Sequence, residues 1–146
     1  MKSFLAMAFA FMILTFSTQV YAEDISVDYG DSNVFTKREM DCCIDLIEKE
    51  LNDWSCKLKS VRYVGDAVSN SAENIKYVNE LAQGNKNNFD KKFTNCLLFK
   101  TDFQSPPDPH DGKPTAWRYD SEYKDYEWYF GFYEVDGEWK LLGWGY

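Results

Sequence analysis

Histidine is almost missing from this 146-residue chain: His110 is the only one. A lone imidazole excludes a metal helix built on paired histidines. Proline is confined to one stretch, Pro106, Pro107, Pro109 and Pro114. Glycine never gathers into a phosphate-cradling loop or a serine-nucleophile elbow. Basic residues are outnumbered, 16 Lys and Arg against 24 Asp and Glu, giving a net charge of −8. The chain therefore lacks the basic face that nucleic acid or an anionic membrane requires, and neither is expected as a partner.

Long apolar runs are equally scarce. One stretch, Phe4 to Phe16, is apolar apart from Thr15; Lys2 precedes it and Val20-Tyr21-Ala22 closes the segment. This is the three-part layout of a secretory signal peptide, with an apolar core too short to cross a bilayer. Cleavage after Ala22 would leave 124 residues, enough for one domain with a core, and a net charge of −9 once Lys2 is gone. No cysteine marks a lipid attachment point at the cleavage site. The protein is expected to be secreted, with no membrane association after cleavage.

Cysteine occurs four times, as Cys42, Cys43, Cys56 and Cys96. Export permits disulfides, and four cysteines allow three full pairings. Cys42 with Cys43 is disfavoured, because adjacent helical side chains diverge by about 100°. Cys43 with Cys56 or with Cys96 stays open, as does a set of buried free thiols. The spacing fits no zinc pattern, so neither a metal nor a cofactor is expected.

Residues 23–35 are acidic and aperiodic and read as a flexible lead-in to a single domain over 36–146. Thr36 and Glu39 form the signature of a capping box, opening a helix that ends near Asp53. Met40, Cys43, Ile44, Ile47, Leu51 and Trp54 make its apolar stripe. A strand is expected over Lys57 to Val64, with Leu58 and Val64 on one face and Val61 and Tyr63 on the other. A second helix is expected from Ser71 to Ala82, stopped at Gly84-Asn85. Phe93 to Phe103 reads as a strand apolar on both sides, with Leu97, Phe99 and Phe103 opposite Cys96 and Leu98. Such two-sided burial suggests an interior strand. The prolines keep Gln104 to Glu122 out of any ladder.

The chain ends in two aromatic strands around Asp136-Gly137, the favoured signal for a two-residue hairpin turn. That turn would set Val135 opposite Glu138 and Tyr129 opposite Trp144. Alternation then sorts Trp128, Phe130, Phe132, Trp139 and Leu141 into the core. The other face would carry Tyr129, Tyr133, Lys140, Leu142, Trp144 and Tyr146. We take Tyr129, Tyr133, Lys140, Trp144 and Tyr146 as candidate ligand-binding residues, because rigid amphipathic rings bind sugars by stacking and anchor protein partners. The same rings serve equally to stabilise a sheet face, or as a homodimer seam.

Catalytic chemistry has little to stand on. Asp108, His110 and Asp111 share a proline-bounded loop, with no neighbouring serine or cysteine nucleophile. Asp102 and Glu122 are isolated carboxylates that a glycosidase pair would need to bring together. No catalytic set is assigned, and an enzyme is not expected.

Several of these residues resemble a family of small exported proteins of Gram-positive, clostridial-type bacteria. The likeness runs through Phe35-Thr36-x-x-Glu39, Cys56-x-Leu58, Tyr63, Asp102-Phe103 and Trp128 to the ending Trp139-Lys140-Leu141-x-x-Trp144-Gly145-Tyr146. The proline-rich Ser105 to Pro114 departs from the glycine- and serine-rich loop common in that family. The resemblance implies export and a compact domain, and no activity.

The expected architecture is an α+β two-layer sandwich, an antiparallel sheet of about four strands with two helices on one face. A cone-like curved sheet of the nuclear-transport-factor or cystatin type is the alternative. The leading functional expectation is a secreted non-enzymatic binding module for an unknown protein or glycan. The alternatives are a secreted enzyme acting on glycans or cell-wall material, and a structural envelope domain.

Overall fold

The computed structural model describes residues 24–115 and 117–146; the expected signal peptide, residues 1–22, lies outside them. Eight elements run in order: β1 (Ser26–Asp28), α1 (Lys37–Asp53), β2 (Lys57–Tyr63), α2 (Asp66–Ser69), α3 (Ala72–Gln83), β3 (Leu97–Gln104), β4 (Glu122–Tyr133) and β5 (Glu138–Gly145). The strands form one sheet in sequence order, β1-β2-β3-β4-β5. β1 runs parallel to β2, and all other neighbours are antiparallel. The fold is α+β, as the residue pattern predicts. No described helix is long and apolar enough to cross a membrane.

α1 starts where Thr36 requires. The Thr36 Oγ1 accepts from the Glu39 backbone at 3.2 Å, and the Glu39 carboxylate accepts from the Thr36 backbone at 2.8 Å. Met40, Cys43, Ile44, Ile47 and Leu51 are its buried stripe. They pack on Leu58, Val61, Tyr63, Leu97, Phe99, Phe103, Trp128 and Phe130 of the sheet. A second cluster takes the intervening residues Leu98, Tyr129 and Tyr133, which meet Ile75, Val78 and Leu81 of α3. Alternate strand residues point to opposite faces, so α1 and α3 cover opposite sides of the sheet. The expected pair of helices on one face is thus split between two, and a fifth, parallel strand joins the expected four. The cause lies in β3, the central strand. It is apolar on both sides, as its sequence predicts, and both sides need cover.

The expected flexible lead-in is instead tied to the sheet. Ser26 to Asp28 pair with Ser60 to Arg62. Asp66 accepts from Ser32 Oγ at 2.5 Å, from Asn33 N at 2.8 Å and from the Tyr63 hydroxyl at 2.7 Å. Tyr29 donates to Asp41 at 2.5 Å, and Phe35 sets its ring against Trp139 at 5.6 Å. Acidic composition concealed these anchors, because the carboxylate that holds the segment lies 34 residues further along the chain.

Bulges re-phase the strands. β2 carries one at Lys59, between the pairs Leu58–Phe103 and Ser60–Asp102. Leu58 and Val61, expected on opposite faces, therefore both point toward α1. All four thiols are free: Cys42 is exposed, and Cys43, Cys56 and Cys96 are buried. Burial raises the last three above the ordinary thiol range, Cys96 to about 12, so they pack as small apolar groups rather than as nucleophiles.

Candidate functional site

The terminal hairpin departs from its expected turn. Tyr133 pairs with Glu138, leaving a four-residue loop, Glu134 to Gly137. Gly137, at φ 71°, donates to the Tyr133 carbonyl at 2.9 Å. A two-residue offset keeps every side chain on its face, so Phe130, Phe132, Trp139 and Leu141 stay on the α1 side as expected. Past Leu141 the pattern breaks. Phe130 pairs with Leu141 but Tyr129 pairs with Gly143, so Leu142 is the extra residue of a bulge. Its single-residue step turns over the remainder of β5. Trp144 lands opposite Trp128, with ring centroids 6.0 Å apart, and meets Trp54 at 5.2 Å.

This corrects the expected binding face, which the structure divides. Tyr133 is only 8 % exposed; its hydroxyl accepts from Asp90 N at 2.9 Å, and its ring lies against Phe89 and Phe93. The segment before β3 folds over it, which composition alone did not signal. Lys140 is clamped within the hairpin, 2.6 Å from Asp136 and 2.9 Å from Glu138, and the Asp136 contact is the main cause of its raised pKa. Trp144 belongs to the tryptophan cluster, yet stays 46 % exposed. Tyr146 is 80 % exposed, with its ring edge-on to Tyr126 at 5.3 Å. Tyr129 is half-buried and donates to the Glu127 carboxylate. Burial, and then that carboxylate, push its hydroxyl well above the ordinary tyrosine range.

The structure adds Tyr77, whose role the residue pattern alone does not announce. Ser71 caps α3, accepting from Asn74 N at 3.2 Å, and fully buried Val78 turns one side of the helix to the sheet. Glu73, Tyr77 and Glu80, spaced four and three apart, then share a neighbouring stripe. That spacing was the available signal. The Tyr77 ring stands edge-on to Tyr129 at 4.9 Å and is 41 % exposed. Two clefts flank it. One of about 570 Å³ lies between Tyr77, Glu80, Leu81, Lys86, Leu142 and Trp144. The other, about 380 Å³, lies between Glu73, Asn74, Lys76, Tyr129 and Tyr146, with Tyr77 and Glu80 again in its wall. α3 sits this close to β5 because Gly143 carries no side chain: a Cβ there would stand 2.8 Å from Leu81 Cδ1.

The alternative catalytic residues are not drawn together. The His110 side chain is 87 % exposed, and its Nδ1 is 3.6 Å from Asp108 on the same turn. Asp111 faces Lys113 at 3.8 Å. Asp102 accepts from Asp125 N, and Glu122 pairs with Lys59 across the sheet. Among the described residues, no three His, Cys, Asp or Glu side chains are grouped to hold a metal ion.

The geometry thus defines an open α+β sheet with an aromatic groove between its third helix and its last strand. Compared with protein families, with curated proteins and with solved structures, the chain matches none of them.

Proposed function

We propose that the protein is an exported, non-enzymatic binding module whose ligand lies in the groove between α3 and the terminal hairpin. Tyr77 carries this reading. It is a large ring left 41 % exposed, braced edge-on by Tyr129 and shared by the walls of two adjoining clefts. Rings fixed in this way present area at little entropic expense, and the cleft volumes fall within the roughly 300–1,000 Å³ of small-ligand sites. Export rests on the layout of residues 1–22 and on the resemblance to exported clostridial-type proteins.

The test collects the protein from the medium of an expressing strain and passes it over insoluble peptidoglycan and over mucin. Retention on either is expected, and Tyr77→Ala should abolish it while leaving the melting temperature within a few degrees of wild type. Retention that survives Tyr77→Ala places the site elsewhere. Protein found only inside the cells refutes the export half.

A further inference from the structure

We propose that the ligand of this groove is a neutral oligosaccharide spanning at least two sugar units; the inference rests on the groove being the binding site. Length comes first. The two clefts meet along Tyr77 and Glu80, which line both, and each alone is large enough for a small ligand. A ligand using the whole groove therefore has two parts, one on each side of Tyr77.

Charge comes second. The groove holds two carboxylates, Glu73 and Glu80, and two ammonium groups, Lys76 and Lys86, with Lys76 3.6 Å from Glu80. The carboxamides of Asn74 and Asn85 complete the lining. Donors and acceptors are balanced and no net charge is offered, which suits hydroxyl groups better than an ion. The chain's overall −8 repels polyanionic glycans. A protein partner fits less well, because the centre of a protein interface is depleted in the Lys and Glu that stand here. The exposed Tyr77 ring supplies apolar area for the face of a sugar ring.

Calorimetric titration of the mature protein tests this. The probes are glucose, cellotetraose, N-acetylglucosamine and its β-1,4 tetramer, with tetragalacturonate as the anionic arm. At least one neutral tetramer should bind about tenfold or more tighter than its monomer, and tetragalacturonate about tenfold weaker than that tetramer. Glu73→Gln should weaken the tetramer more than the monomer, because Glu73 lines only one of the two clefts that the tetramer spans. Tyr77→Ala should lose both. Equal affinity of monomer and tetramer overturns the inference, as does preference for the anion, or no binding of any neutral tetramer at about 10 mM. If column retention still depends on Tyr77 in that last case, the groove stands as the site and only the ligand class falls.

Discussion

The indole of Trp128 donates to Thr101 Oγ1 at 2.8 Å across two adjacent strands, and neither side chain reaches solvent. This bond satisfies a large polar group at the centre of the sheet. Thr101→Val keeps the shape and removes the acceptor. It should destabilise the protein by about 1–3 kcal/mol, the usual effect of orphaning a buried donor, while Thr101→Ser should recover most of the loss. Urea unfolding of the two variants decides; equal stability of Val and wild type would show that the bond contributes nothing.

Gly131 faces Phe93. A Cβ at that glycine would lie 2.3 Å from Phe93 Cδ1, and Phe93 is itself buried at 2 % exposure. Gly131→Ala should therefore destabilise by about 1–3 kcal/mol through overpacking. Combining it with Phe93→Leu should be milder than the sum of the two single changes, a coupling measurable by a double-mutant cycle.

Trp144 now predicts a mixed effect. Its ring rests on Trp54 and Trp128, so Trp144→Ala should lower stability by about 1–2 kcal/mol even without ligand. Trp144→Phe should retain the fold and much of the contact. An alanine variant as stable as wild type would mean that the bulge at Leu142 does not bring this ring onto the α1 side.

Asp66 gives a pH signature. Its hydrogen bonds, the one from Ser32 foremost, hold its carboxyl below the usual carboxylate range against partial burial. A folded-state pKa below the unfolded one adds stability that is present above about pH 4 and is lost as pH falls through the folded value. Unfolding midpoints measured from pH 7 to 3 should drop, and Asp66→Asn should flatten the lower part of that curve. An unchanged slope in the variant would remove Asp66 as the latch of the lead-in.

Thiol chemistry should separate the cysteines. Native protein should release one equivalent quickly to a thiol reagent, from exposed Cys42, and the other three only on unfolding. Fewer than four thiols in denaturant without reductant would reveal a disulfide.

Local signals were legible and re-phasing was not. Thr36 and Glu39 announced α1 to the residue, because a capping box acts within one turn. The two apolar sides of β3 were visible in Leu97, Leu98 and Phe99. The bulges at Lys59 and Leu142 were hidden, since neither residue is a glycine and a bulge arises from pairing with a partner strand. That is why the core half of the hairpin was read correctly while Trp144 changed sides. Tyr77 was missed because the partner that makes it a site, Tyr129, lies 52 positions along the chain.

The parallel pairing of β1 with β2 fixes where the chain enters. Asp24 precedes β1 at one rim of the sheet, whereas β5 forms the opposite rim, four strand spacings or roughly 19 Å away. A tether attached at the front of the domain would therefore hold it by the border farthest from β5.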